Sequence, residues 1–222
     1  LVQSGVALAR CELVDAPSIA AINDHLGTDL EVAPTVFLEF HGDEHSTAAG
    51  VAMALELSRD YRAGRSEAAR DGDELAALWK ARHRAFYCLT AAHPGMSSLV
   101  TDLAVPVSRL AEVIEASLQV TAATRLPTYV LGHVGDGNFH LTLFYPPDDD
   151  AAEAVARAAH SELVHLTLAA GGTCTGEHGI GVRKLAYVRA EHGHAVDVMW
   201  AVKDALDPHG IMNPGKKLPP RT

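Results

Sequence analysis

The 222-residue chain is long enough to bury a core of its own and falls in the range of one large domain or two small ones. Its 48% hydrophobic and 21% charged residues are ordinary for a globular protein, and a formal net charge of −10 argues against nucleic-acid binding, which needs a basic surface. No apolar run approaches the roughly 20 residues of a bilayer span. The start, Leu1-Val2-Gln3-Ser4-Gly5, has no charged segment ahead of an apolar block, so no signal peptide is expected. Cys11, Cys88 and Cys174 are widely spaced and form no CxxC pair. They read as small hydrophobes in a reducing compartment, and a cytoplasmic protein is expected.

In chain order, residues 5–13 read as a strand, and Asp15-Ala16-Pro17 opens a helix to about Leu26, with proline in its first turn. Residues 35–40 form a β-branched and aromatic strand whose single charge is Glu39. An alanine-rich helix follows over 43–61, then a charged stretch with two glycines over 62–73, read as a linker or loop. A second long helix covers 74–92 and ends at His93-Pro94-Gly95. Residues 99–105 read as a strand and 106–120 as a helix entered through proline. Strands over 127–133 and 138–145 flank Gly135-Asp136-Gly137, a hairpin signal. A helix runs from Pro146-Pro147-Asp148-Asp149-Asp150 to about Ala170, and two more cover 182–190 and 195–206 before a proline-bearing tail. Strand–helix–strand units on both sides of the linker predict an α+β fold: antiparallel strands covered by helices, in two βαβ-type halves.

Two segments carry the chemistry. The first is Gly132-His133-Val134-Gly135-Asp136-Gly137-Asn138-Phe139-His140, and the second Gly171-Gly172-Thr173-Cys174-Thr175-Gly176-Glu177-His178-Gly179-Ile180-Gly181. Strand alternation puts Tyr129, Leu131 and His133 on one face and Asn138, His140 and Thr142 on one face, so a tight turn brings the two imidazoles to one polar patch. Imidazole and carboxylate side chains are what zinc or manganese selects, and glycine at this density marks backbone that turns sharply or lies close to something bound. A single histidine is more often bonded to backbone or water, and a glycine-rich stretch is often only a turn before a helix. An anion cradle ranks low, because neither GxGxxG nor GxxxxGK(S/T) is present. On the 74–92 helix, Leu75, Leu78, Trp79 and Arg82 form one stripe. Arg82 reads either as a surface partner of Asp73 or Glu74, or as a half-buried guanidinium suited to a carboxylate.

Taken in order, these segments, with Ala33–Gly42, Leu78–His83, Thr101–Pro106 and Leu206–Lys216, resemble the C-terminal, substrate-side domain of FAD-linked 2-hydroxyacid dehydrogenases of the vanillyl-alcohol-oxidase type. The D-lactate dehydrogenase (cytochrome) group and the FAD-linked glycolate oxidase subunit are the nearest resemblances, over almost the whole chain. The resemblance implies an FAD-linked oxidase C-terminal domain of two ferredoxin-like halves, capping the flavin and building the substrate pocket. It implies that His133, His140 and Glu177 bind a divalent metal, that His178 accepts a proton, and that Arg82 holds the substrate carboxylate. Asn213 falls in a segment that approaches the flavin. A lysine of the 2-hydroxyglutarate-oxidising relatives is replaced by Val100, which weakens the case for a dicarboxylate such as D-2-hydroxyglutarate and favours a small monocarboxylate such as D-lactate, with glycolate as an alternative.

Relatives place a flavin-binding domain ahead of this one. The chain is therefore expected to be the C-terminal part of a longer protein, or one subunit of a split enzyme, and to be inactive alone. FAD would be held mainly by that domain, in cis or as a partner chain. The electron acceptor stays open, and with it peripheral association at the inner membrane. The rival readings are a stand-alone metallohydrolase with an activated water and a non-catalytic metal-binding module.

Overall fold

The computed structural model describes Leu1 and residues 4–221. Its centre is an antiparallel sheet of six strands: β1 (Leu8–Val14), β2 (Thr35–Phe40), β3 (Ser97–Val100), β4 (Leu103–Ala104), β5 (Thr128–His133) and β6 (Asn138–Tyr145). The spatial order is β2-β1-β5-β6-β3, with β4 paired to β6 beyond the end of β3. The helices are α1 (Ala16–Leu26), α2 (Glu44–Asp60), α3 (Gly72–Ala92), α4 (Leu110–Thr124), α5 (Asp150–Ala169), α6 (Leu185–His192) and α7 (Ala195–Leu206).

Two apolar layers explain the arrangement. On one face Leu103, Val130, Phe139, Leu141 and Leu143 meet Val113 of α4 and Leu163 and Val164 of α5. On the other, Val14, Phe37, Leu131 and Phe144 meet Ile19 and Ile22 of α1 and Trp79, Ala85 and Leu89 of α3. Alternation along β6 splits its side chains between the layers, odd positions to the first and Phe144 to the second. Aspartate caps place the helices. Asp15 accepts from the Ser18 N–H and also bonds the Val130 N–H at 2.8 Å, pinning the start of α1 to β5. Asp71 and Asp149 accept from N–H groups in the first turns of α3 and α5.

The second half of the chain is a split β-α-β unit, in which β3 and β5, joined through α4, run the same way on either side of β6. In the first half β1 and β2, joined through α1, pair with each other directly and antiparallel. The halves share one sheet along β1 and β5, where Leu13 faces Gly132 and Val14 faces Leu131.

The strand expected over 99–105 is interrupted at Thr101-Asp102, and the helix expected over 106–120 begins at Leu110 after a 3-10 turn over Val107–Arg109. Pro106 supplies the carbonyl that closes that turn. The hairpin turn is a 3-10 turn over Val134–Asp136 closed by Gly137 at φ 76°. A Cβ at Gly137 would also lie 2.1 Å from the Val105 carbonyl oxygen, so glycine is required there twice over.

Candidate active site

β5 and β6 deliver His133 and His140 to the same side of the hairpin, with ring centroids 5.8 Å apart. Their outer nitrogens converge on one atom. Glu177 Oε1 lies 3.1 Å from His140 Nε2, 3.4 Å from His133 Nε2 and 3.6 Å from His178 Nε2. The four predicted residues of the two glycine-set segments are therefore one cluster, half-buried at the histidines of the hairpin and exposed at Glu177 and His178.

Each hairpin histidine is oriented through its inner nitrogen. His140 Nδ1 is 2.9 Å from the Thr101 carbonyl, which can only accept, so the proton sits on Nδ1. Burial lowers the His140 pKa, so the neutral ring presents its Nε2 lone pair to Glu177. His133 Nδ1 is 2.8 Å from Glu12 Oε1. That hydrogen bond raises the His133 pKa against the opposing effect of burial, and it also strengthens Nε2 as a ligand. With both rings neutral, the two Nε2 lone pairs face the carboxylate oxygen Glu177 Oε1, an arrangement that a divalent cation between them would satisfy. Separations of 3.1 and 3.4 Å match the ~3.3 Å between ligand atoms of a tetrahedral site with bonds of about 2.0–2.1 Å. The donor set fits a divalent metal of the zinc type.

Asp102, His140, Glu177 and His178 each bring one potential ligand atom within 4.8 Å of the others. Asp102 is nevertheless fully engaged. It accepts from Lys184 Nζ at 2.8 Å, the His178 N–H at 2.9 Å, the Glu177 N–H at 3.1 Å and Thr175 Oγ1 at 3.1 Å. Burial would raise its pKa, but the lysine and the backbone donors hold it well below the carboxylate range. Asp102 therefore supports the Glu177–His178 backbone and has no oxygen to spare, and the four-residue group does not include His133.

The glycine-rich segment is threaded against β4, where Thr173 and Ala104 exchange hydrogen bonds of 2.8 and 3.2 Å. Gly176 approaches so closely that a Cβ would sit 1.9 Å from Asn138 Nδ2. Cys174 is buried with its thiol pushed up to about 12, chiefly by burial, so it belongs to the core and not to the chemistry.

Arg82 is not paired with Asp73 or Glu74; Glu74 is taken by Arg70. Its Nη2 donates to Glu12 Oε2 at 2.6 Å, and its Nε is buried without a partner. Glu12 thus joins Arg82 to His133. Burial would raise the Glu12 pKa, and the two partners together lower it below its usual value. Glu12 and Lys184 went unread in the sequence, and Asp102 appeared only within a segment. The signal for Glu12 was an acid on the Val14 side of β1, the side that faces α1 and α3. Asn213 lies elsewhere, exposed at φ 49° in the tail after α7. The tail is tied to the glycine-rich segment by a 2.9 Å bond from the Lys217 N–H to the Gly181 carbonyl. Val100 is exposed at the end of β3, opposite Thr142.

Comparison with known proteins matches residues 1–217 to the family "FAD linked oxidases, C-terminal domain". A probable mitochondrial D-lactate dehydrogenase of Danio rerio is 40% identical over 98% of the chain, which covers 44% of that protein. The mitochondrial D-lactate dehydrogenase (cytochrome) of Arabidopsis thaliana is 37% identical over 98% of the chain and 38% of its own length. The chain thus spans less than half the length of these curated relatives. Among solved structures, p-cresol methylhydroxylase with substrate bound superposes with a TM-score of 0.70 at 13% identity, over 95% of this chain and 47% of that one, which speaks to fold alone.

Proposed function

The chain belongs to the family of C-terminal domains of FAD-linked oxidases, and from that premise we propose that it forms the substrate half of an FAD-dependent 2-hydroxyacid dehydrogenase with D-lactate as the favoured substrate. The observation that carries the reading is the convergence of three imidazole nitrogens on Glu177 Oε1, with Arg82 linked to the same cluster through Glu12.

Oxidation of a 2-hydroxy acid to a 2-oxo acid removes the hydroxyl proton and the α-hydrogen with its electron pair. Arg82 holds the substrate carboxylate by charge and hydrogen bonding, a local attraction needed on a chain of net charge −10. His133, His140 and Glu177 would hold a divalent metal, zinc or manganese, which would supply Lewis acidity to ease loss of the hydroxyl proton. His178, exposed at the rim and beside Glu177, takes the hydroxyl proton. Bound FAD supplies the two-electron redox chemistry. FAD would be held mainly by the remainder of the flavoprotein, in cis or as a separate subunit, and Asn213 is the residue of this chain proposed to contribute to its binding.

Val100 supports the substrate choice, because an apolar side chain at the end of β3 offers no cation for a second carboxylate. Glycolate and D-2-hydroxyglutarate are the alternatives. No helix of the described residues is long and apolar enough to cross a membrane. A cytoplasmic location rests on the three unpaired cysteines, although the D-lactate dehydrogenase relatives are named as mitochondrial.

The test is anaerobic rapid mixing of the full-length, metal-loaded flavoprotein with each of the three acids. D-lactate should bleach the flavin fastest. Failure of all three to reduce it would overturn the reading, and faster reduction by D-2-hydroxyglutarate would overturn the substrate choice.

A further inference from the structure

Glu12 is a buried carboxylate whose two oxygens each hold the side chain of a different residue of the proposed site. Its side chain is 11% exposed, as is that of Arg82. One oxygen accepts from His133 Nδ1 at 2.8 Å and the other from Arg82 Nη2 at 2.6 Å. It comes from β1, in the first half of the chain, and His133 from β5 across the strand pair that joins the halves.

Both bonds have directional consequences. An ionised carboxylate can only accept, so it fixes the His133 proton on Nδ1 and leaves Nε2 free to point at Glu177. The second oxygen fixes one arm of the Arg82 fork, whose Nε has no other anchor. We propose that Glu12 is a positioning residue that couples the two ends of the substrate pocket. It orients the metal-binding nitrogen of His133 and holds the carboxylate-binding guanidinium of Arg82 at a set distance from it. This inference rests on the proposed reading of His133, His140 and Glu177 as a metal site and of Arg82 as the carboxylate anchor.

Glu12→Gln is the sharp probe, because it keeps the shape and leaves one good acceptor for two donors. If the amide oxygen serves His133, the amide N–H groups confront Arg82. If it serves Arg82, His133 is driven to the tautomer that presents Nε2–H. Binding of Mn²⁺ to the full-length flavoprotein, measured by competition with a chromophoric chelator, should weaken by about 10–100-fold in Glu12→Gln and in Glu12→Ala, with stoichiometry retained. With the metal saturating, KM for D-lactate should rise in Glu12→Gln more than kcat falls, because Arg82 has lost its anchor. A merely structural role would lower the melting temperature and leave the Mn²⁺ Kd and the KM in place. His140→Ala serves as the control. Glu12 variants that fold and bind Mn²⁺ within twofold of wild type, while His140→Ala loses it, refute the role of Glu12 and leave the metal site standing. Equal absence of Mn²⁺ from wild type and His140→Ala refutes the metal site, and the inference with it.

Discussion

Gly176→Ala separates the demand for space from the demand for backbone freedom. Gly176 does not lie in the left-handed region, so its backbone accepts alanine. Space is what is missing. The added Cβ would meet Asn138 Nδ2 at 1.9 Å, Asn138 Cγ at 2.9 Å and Asp102 Oδ1 at 3.0 Å. Ordinary contact begins near 3.4 Å, so the nearest approach is short by about 1.5 Å. Asn138 cannot yield cheaply, because its amide is buried and bonded to the Leu103 carbonyl at 3.0 Å and to Asp102 at 3.2 Å. The loop must move instead, carrying Glu177 and His178 away from the hairpin histidines. Overpacking of this kind costs about 1–3 kcal/mol of stability. A displacement near 1 Å costs on the order of 10²-fold in rate. Gly179→Ala is the control: it sits at φ 73° with nothing within 4 Å of a Cβ, so it loses about 1 kcal/mol to backbone strain alone. Flavin reduction by D-lactate, metal content and urea midpoints measured on the full-length protein decide the matter. A Gly176→Ala enzyme with normal metal and a rate within twofold of wild type would refute the steric reasoning.

Glu177 and His178, adjacent in sequence, should separate cleanly in function. Glu177→Gln should weaken metal binding, since an amide is the poorer ligand, whereas His178→Ala should keep its metal and reduce flavin about 10²–10⁴-fold more slowly. Loss of metal from His178→Ala, with a normal rate on resupply, would make His178 a ligand. Arg82→Lys should raise KM for D-lactate more than it lowers kcat, because a point charge cannot replace the planar fork; steady-state kinetics at saturating metal check this. The fourth concerns His160 on α5, whose pKa is lowered to about 4 by burial and then by the cations Lys184 and Arg157. An unfolded histidine near 6.5 takes up a proton that the folded one refuses, so stability is full above about pH 6.5 and falls on acidification toward pH 4. The loss reaches up to about 2 kcal/mol by pH 5. His160→Gln should flatten that slope in urea midpoints read from pH 7 to pH 4.5; an unchanged slope would count against it.

Local pattern carried much of the fold. The strand over 35–40 and the β5–β6 hairpin with its glycine turn lie where alternation and turn chemistry put them. The two hairpin histidines lie side by side because period-2 geometry and a tight turn leave them nowhere else to go. What escaped is what depends on distant pairing. Glu12 and His133 are 121 positions apart, Glu12 and Arg82 are 70, and Asp102 and Lys184 are 82. No local pattern connects such residues. The break at Thr101-Asp102 escaped for a related reason: a β-propensity run does not reveal that the Thr101 carbonyl is needed by His140.

That break has a consequence for which changes of length the chain tolerates. Val100 faces Thr142 and Leu103 faces Phe139, so the register of β4 against β6 continues that of β3 without a shift. Two residues on each side span the gap, and two is an even number. Leu103 therefore returns to the α4–α5 side, where it is fully buried beside Phe139 and Leu141. Parity is thus built into the strand. Removing or adding one residue between Val100 and Leu103 would turn Leu103 to the opposite face and carry Asp102 out of step with Lys184 and the glycine-rich segment. Adding two would keep the faces and lengthen only the gap.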